Sequence, residues 1–519
     1  MSTWDNGYNT DILYTAGYYQ ELNPLLGRYI FATQNLAFPD MSTGYACELG
    51  FGMGLSINIH AAASNVNWYG TDFSPKQVNF AQQLAQDSGV SVKLSDNDFG
   101  TFAKRDDLPD FDYICLHGIW SWVSPETQNH IVDFIARRLK VGGVLYISYN
   151  VSPGFITFEP VRHLMSQFVT KFTATGSSRK SQLEAEVKYL KDLMALNPAY
   201  AAVVPNIAKK TEEVFKHDYH YVVHEYLHQN WDIGHFTDIV NALDRAKLSF
   251  ACSATGTELL DSINLTPEQQ QFLEPFKGSD FYETNRDFIV NQQFRRDFFV
   301  KGATKLSYEQ REEALNQSYL TLTIPADKYN YTFDSSLGKA SFNKEVYQPV
   351  VQYFADFKPR SYGQAREALK NNEHLKEQNL AKIVFTLMAT GVLQPAVAPS
   401  SISTAIKERC QTMNRYLIQG NDSNAVQYLA SPVLQGGLFL GDINMRLLKQ
   451  YLHNEENKVK NTQDNLTDFL LQEIAASGST LNKEGKPITD KQEQKKLLGE
   501  TVQDFLEVGM KLYKQHHLF

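Results

Sequence analysis

A chain of 519 residues is too long for one hydrophobic core, and two to four domains is the natural expectation. With 43% hydrophobic and 21% charged residues it has an ordinary globular make-up, and a formal net charge of -9 argues against a general nucleic-acid binder, which needs a basic surface. The four cysteines (Cys47, Cys115, Cys252, Cys410) are far apart with no C-x-x-C pair, so neither a disulfide framework nor a zinc site is indicated and no metal is expected.

In chain order, Met1 to Thr10 is polar and lacks the basic start and apolar stretch of a secretory signal. The most apolar run, Ala381 to Leu393, is too short to span a bilayer, so a cytoplasmic protein without stable membrane insertion is expected. Tyr8, Tyr14, Tyr18, Tyr19 and Tyr29 crowd the segment 1–40, where Leu25, Leu26, Tyr29 and Ile30 have helical spacing. Two readings stand: a helix packed on a sheet edge, or a lid of aromatic residues over a ligand.

The strongest pattern follows. Tyr45, Ala46 and Cys47 form a short apolar strand, Glu48-Leu49-Gly50-Phe51-Gly52-Met53-Gly54 a tight glycine turn, and Leu55 to Ala63 an alanine-rich helix. A second strand ends at Gly70-Thr71-Asp72. Glycines let the backbone approach a nucleotide-like ligand, and a carboxylate at the next strand tip can accept from both ribose hydroxyls. The spacing is acidic-x-G-x-G-x-G rather than the dinucleotide G-x-G-x-x-G, with Leu55 where the last glycine belongs. Glu48 would repel a pyrophosphate but suits an ammonium group. S-adenosylmethionine carries an ammonium and a ribose and no phosphate, so it is the expected cofactor.

Ser74-Pro75 opens the next helix, which keeps Val78, Ala81, Leu84 and Ala85 on one face and stops at Gly89. Ser91 to Leu94 reads as a third strand with Asp96-Asn97-Asp98-Phe99 at its tip. There Asp98 can accept from the exocyclic amine of adenine and Phe99 can stack, a plain Asp/Asn turn being the alternative. Phe111 to Leu116 is a fourth strand that delivers His117-Gly118-Ile119-Trp120-Ser121-Trp122-Val123 to the same edge. Ser124-Pro125 starts a helix that ends before Gly142-Gly143, and Val144 to Ser148 leads into Tyr149-Asn150. The unusual residues thus fall at the carboxyl edge, where open parallel sheets bind ligands.

Alternation of strand and helix fades near Phe155, and Val161 to Val214 reads as an inserted helical subdomain, either a lid or an oligomer contact of a homodimer. His220 to Leu227 returns toward the sheet; the adjacent His224 and Glu225 point apart, with no third ligand at useful spacing, so they are not a metal pair. A helix, Phe236 to Ala246, and strands Leu248 to Ser253 and Asp297 to Val300 complete a domain over 41–305, its insertion at 156–225. Beyond it, a strand (Leu320 to Ile324), helices over Glu345 to Phe357, Tyr362 to Leu369 and Leu380 to Thr390, and the extended Gly391 to Pro395 suggest a winged-helix-like part over 306–398. None of those helices is distinctly basic, so no nucleic-acid partner is expected. After a linker, Pro395 to Ser403, residues 404–519 read as largely helical.

Together these motifs resemble the class I S-adenosylmethionine-dependent methyltransferases over roughly 41–305. More narrowly, His117 to Ser124, Tyr149-Asn150 with Pro153-Gly154, His224-Glu225-Tyr226-Leu227, and Asp287-Phe288 with Phe294-Arg295 resemble methyltransferases that carry a methyltransferase regulatory domain. Within that group, the length and the Leu429-Ala430-Ser431-Pro432 stretch are most similar to rickettsial-type outer-membrane-protein lysine methyltransferases. The resemblance implies an α/β fold, a Rossmann-like seven-stranded sheet followed by a mostly α region. It also implies S-adenosyl-L-methionine as cofactor, S-adenosyl-L-homocysteine as product, and lysine methylation on a large surface or outer-membrane protein. Carried over, Glu48, Gly50, Gly52 and Gly54 would hold the methionine part, Asp72 the ribose, Asp98 and Phe99 the adenine, with His117 and Gly118 beside ribose and sulfonium.

A lysine must be neutral to attack, and burial against aromatic rings favours the neutral form. Faces of Trp120 and Trp122 would attract sulfonium and methylammonium, although one of the two is expected in the core. Asn150 would orient the amine or shape the turn before Pro153, with Tyr149 on the opposite strand face. His117 is either a catalytic base or a hydrogen-bond donor that fixes its loop. Two rival functions stand beside the lysine reading: a small-molecule O- or N-methyltransferase, and a cofactor-binding regulatory or scaffold protein without turnover.

Overall fold

Seven short runs of apolar residues pair into one sheet in a computed structural model that describes residues 16–173, 178–216, 222, 230–376, 379–420, 426–477, 481–483, 486–488 and 490–519. They are β1 (Tyr45–Leu49), β2 (Asn67–Thr71), β3 (Lys93–Ser95), β4 (Phe111–Leu116), β5 (Leu139–Asn150), β6 (Ser249–Ser253) and β7 (Phe294–Val300). The order across the sheet is β3-β2-β1-β4-β5-β7-β6. The first five are parallel, and β7 runs antiparallel between β5 and β6.

Period-two alternation along the central strands divides the core into two layers. Tyr113, Cys115, Tyr146 and Phe298 face one layer with α1 (Pro24–Thr33), α2 (Leu55–Ala63) and α3 (Pro75–Ser88). Ile114, Leu116, Leu145, Ile147 and Phe299 face the other, with α4 (Phe99–Ala103), α5 (Pro125–Arg138) and the helix Phe236–Asp244. Proline at the first turn and a capping side chain set the helix starts: Asn23 accepts from Leu25 N–H, and Ser124 from Thr127 N–H.

β5 is longer than the sequence suggests. Its expected bounds, Val144 to Ser148, become Leu139–Asn150, because β7 pairs with it from Val144↔Val300 to Asn150↔Phe294. Gly142 and Gly143 therefore lie within the strand, where Gly142 N–H donates to Lys301 O and Lys301 N–H to Gly143 O. The third strand is also displaced, to Lys93–Ser95.

After β5 come α6 (Glu159–Phe172), α7 (Arg179–Ala195), α8 (Ala199–Val203) and α9 (Ile207–Val214). They close on a small apolar core of Phe158, Val161, Met165 and Leu190. Tyr8, Tyr14 and the His224 to Leu227 motif lie outside the described residues.

Beyond β7, the strand Tyr319–Leu322 pairs with Arg360–Ser361 on one side and Leu393–Ala396 on the other, among helices Lys344–Tyr353, Tyr362–Leu369 and Leu380–Ala389. The region after residue 404 is mostly helical but contains a hairpin the sequence reading missed, Tyr428–Ser431 with Gly436–Phe439. Two glycines there hide the strand pattern, and the fold explains them: a Cβ at Gly436 or Gly437 would strike the ring of Tyr18. Leu429, Leu438, Met413 and Leu447 belong to the same apolar layer as α1 and α2. Arg409 fastens the helix Thr404–Gln419 to the end of α2 by donating to Ala62 O at 3.2 Å and Ser64 O at 2.6 Å. No helix among the described residues is long and apolar enough to cross a membrane.

Candidate functional site

The carboxyl ends of β1, β2, β4 and β5 meet the residues singled out in the sequence. Between β1 and α2 the chain turns through Gly50, Gly52 and Gly54, all left-handed at φ 72°, 57° and 68°. At Gly50 a side chain would collide with Ile119 and come within 3.6 Å of Phe99; at Gly52 a Cβ would meet nothing. The turn is closed on its protein side and open on the other, a backbone surface that a ligand can approach.

Two carboxylates flank that turn. Glu48 is 3% exposed and its Oε2 has no hydrogen-bond partner. Burial, with the nearby Asp72 charge, pushes its carboxyl up to about 8. Asp72 accepts from Gly52 N–H and Ser74 N–H at 2.9 Å each, while burial raises it to about 6. Those two bonds leave two acceptor positions on the carboxylate, within reach of the Gln77 amide or of a vicinal diol. No cation of the chain contributes to either shift. The pair is built to receive positive charge and hydroxyl donors from outside, which fits the ammonium and ribose of S-adenosylmethionine.

Asp98 is exposed and caps α4, accepting from Thr101 N–H at 3.0 Å and Thr101 Oγ1–H at 2.6 Å. Phe99 is half-buried beside the glycine turn, with Ile119 also in contact with it.

At the tip of β4, His117 Nδ1 lies 2.8 Å from the Tyr146 hydroxyl, and Gly118 N–H donates to Ser148 Oγ at 2.8 Å. Burial and the Arg296 charge push the imidazole down to about 3, so it is neutral. Tyr19 stacks on it at 4.1 Å, and Phe294 meets it edge-on at 6.0 Å. Arg296 is 5.0 Å above the Phe294 ring and 3.5 Å from Glu21. Within the arm, α1 packs in the core, and the Tyr19 ring lies against the imidazole at the tip of β4.

The two tryptophans part company in a 3-10 turn, Trp120–Trp122. Trp120 packs in the apolar layer beneath the sheet. Trp122 stacks on Trp231 at 6.1 Å and 9°, with the Arg162 guanidinium 5.6 Å from one ring and 4.8 Å from the other. That aromatic pair already holds a cation of the chain. Between them, Ser121 Oγ accepts from Asn150 N–H at 2.9 Å, fixing the end of β5. The Asn150 side chain forms no hydrogen bond to a described residue. Tyr149 points to the other face, where its hydroxyl donates to Asp297.

Sequence reading missed Tyr146, Ser148, Arg296 and Trp231. Alternation along β5 carried a signal for the first two, since Tyr146, Ser148 and Asn150 must share a face. Among the described residues, no group of three or more His, Cys, Asp or Glu could hold a metal ion.

Comparison with known proteins follows the same lines. Residues 46–143 match the family model described as "Methyltransferase domain", and residues 218–301 that described as "Predicted methyltransferase regulatory domain". An uncharacterized protein of Synechocystis is 28% identical over 512 residues, 97% of each chain. An uncharacterized protein of Rickettsia prowazekii is 23% identical over 304 residues, 56% of this chain and 52% of that one. Among solved structures, PKMT2 from Rickettsia typhi in complex with AdoHcy shares the fold with a TM-score of 0.68 at 18% identity, over 97% of this chain and 99% of that one. With its sheet order, its carboxylate-flanked glycine turn and these family matches, the chain is a class I S-adenosylmethionine-dependent methyltransferase that carries a methyltransferase regulatory segment.

Proposed function

We propose that this methyltransferase acts on lysine side chains of a large surface or outer-membrane protein. The observation that carries the reading is the acceptor side of the site. There Tyr19 lies against His117 at the tip of β4, Glu21 pairs with Arg296 of β7, and Arg162 of α6 meets the Trp122–Trp231 pair, within an architecture shared with the rickettsial PKMT2 over nearly the whole chain. A small acceptor needs no such superstructure.

In this reading Glu48 accepts from the ammonium of the cofactor and Asp72 from the ribose hydroxyls. Gly50, Gly52 and Gly54 admit its backbone-like portion, Gly118 lies beside it, and Phe99 flanks the adenine with Asp98 at the rim. When bound, S-adenosylmethionine supplies an electrophilic methyl group on a sulfonium whose leaving group is neutral. The contribution of the protein is then alignment, a proximity effect. Asn150 would accept from the amine and aim its lone pair. The aromatic surround of Tyr19 and Phe294 makes an ammonium costly and so favours the neutral amine. Trp122, occupied by Arg162, shapes the wall of the acceptor channel rather than holding the substrate cation itself.

The test is transfer of labelled methyl from S-adenosylmethionine into separated envelope protein, soluble protein, RNA and small-molecule fractions. Label that hydrolyses from protein as methyl-lysine is the expected outcome. Label confined to the small-molecule extract would overturn the lysine reading, and cofactor binding without any transfer would point to a regulatory protein.

A further inference from the structure

His117 is held from behind by two hydroxyls, those of Tyr146 and Ser148, whose donor direction follows from their other partners. Gly118 N–H can only donate, and it does so to Ser148 Oγ at 2.8 Å. The Ser148 hydroxyl proton is then free to be donated, and His117 Nδ1 lies within reach of it, 3.4 Å from Ser148 Oγ. The buried Tyr146 hydroxyl has no hydrogen-bond partner among the described residues other than His117 Nδ1, 2.8 Å away, so its proton goes there. Both hydroxyls thus donate toward the imidazole. A ring that accepts at Nδ1 and is neutral must carry its proton on Nε2. That nitrogen makes no hydrogen bond to a described residue, and His117 retains partial exposure at the strand tip.

We propose that His117 is a hydrogen-bond donor rather than a base: Nε2–H, fixed by Tyr146 and Ser148 as positioning residues, donates to an oxygen of the bound cofactor. The surroundings agree. Tyr19 and Tyr146 stack at 4.1 and 6.0 Å on the imidazole and leave only its edge for bonding. The cationic Arg296 nearby opposes an imidazolium, as does burial. The lysine amine, which needs its lone pair for attack, would be disabled by such a donor, so the partner lies on the cofactor side, next to the glycine turn that Ile119 touches.

This assignment rests on the cofactor reading for the identity of the acceptor, but the tautomer is read without ligand or turnover, so the two fail separately. The measurement is a long-range proton–nitrogen correlation on the full chain with labelled histidine, the His117 signal being identified among 13 histidines by its loss in His117→Gln or His117→Asn. The Nε2–H tautomer is expected to persist from about pH 5 to 8, through the range in which a free histidine titrates. Tyr146→Phe should release it to a mixture of tautomers, a change that loss of packing alone would not give. Adding S-adenosylhomocysteine should move the Nε2 proton resonance. An Nδ1–H tautomer, or an imidazolium forming near pH 6.5, would overturn the donor assignment. An unmoved resonance while calorimetry shows S-adenosylhomocysteine bound would overturn its cofactor partner.

Discussion

Glu48 and Asp72 at the tips of β1 and β2, and Glu283, Asp287 and Asp297 around β7, are two groups of carboxylates, buried except for the half-buried Glu283, and they differ in what balances them. In the second group Arg295 reaches all three: Asp297 Oδ2 at 2.7 Å, Asp287 Oδ1 at 2.6 Å and Glu283 Oε2 at 2.9 Å, with the Phe236 ring 4.4 Å from its guanidinium. The first group has no such cation, and one carboxylate oxygen of Glu48 has no partner. Raised carboxyl groups do not separate the two, because burial also lifts Asp287 to about 7. The counter-charge does. A cluster neutralised by the chain reads as framework, and one without a counter-charge is a candidate binding site.

The largest effect expected from this contrast is on Arg295→Met, which strands the buried Asp287 and Asp297 and the half-buried Glu283. It should cost about 3–5 kcal/mol in denaturant unfolding, as loss of one partner of a buried pair does. A cost near zero would erase the distinction. Next comes Asp72→Ala. Removing the acceptor of two hydroxyls, each bond to a charged group contributing about 1.5–3 kcal/mol, should weaken S-adenosylhomocysteine binding at least 100-fold, roughly, with the fold retained. Unchanged affinity in titration calorimetry would remove Asp72 from the ribose.

Glu48 supplies a test by proton count. Its carboxyl stands at about 8 in the folded chain against an ordinary 4.5, so the native state binds the extra proton and its burial lowers stability as pH climbs from 4.5 to about 8. A cation at Glu48 reverses that preference. At about pH 7, S-adenosylhomocysteine binding should therefore release close to one proton, seen as a dependence of the calorimetric enthalpy on the buffer, and Glu48→Gln should abolish the release. Binding with no proton release would mean Glu48 is already ionised. The smallest effect belongs to Trp122→Ala. Loss of a stacked ring worth about 1 kcal/mol should lower turnover several-fold and leave S-adenosylhomocysteine affinity intact. Equal losses in both would place Trp122 against the cofactor.

What the sequence reveals of this site is what lies within one turn of chain. Glu48, the glycines and Asp72 are close in sequence and their spacing carries the chemistry. Asp98 and Phe99 are also read as a local unit, and there the structure turns the Asp98 carboxylate to the cap of its own helix. Partners brought together by strand pairing are not legible. His117 meets Tyr146 across neighbouring strands, and Arg296 reaches it only because β7 pairs with β5, Ser148 opposite Arg296. The tryptophans show the same limit. A run of two in three residues does not tell which one the 3-10 turn sends into the core, and only the chain beyond β5, by offering Arg162 of α6 and Trp231, decides it.

Tyr18 ties the two ends of the chain to one task. Its hydroxyl meets His60 of α2 at 3.0 Å, its ring sits against Gly436, Gly437 and Tyr428 of the late hairpin, and Asn23 donates to Leu434 O at 2.9 Å. The neighbouring residue is Tyr19, the ring over His117. The hairpin is thus a jig for the ring that roofs His117, hundreds of residues distant along the chain. Chimeras between relatives should be cut accordingly: residues 16–23 must travel with the C-terminal half, not with the catalytic sheet they touch. A hybrid that separates them would keep every residue of the cofactor turn and still leave its roof unseated.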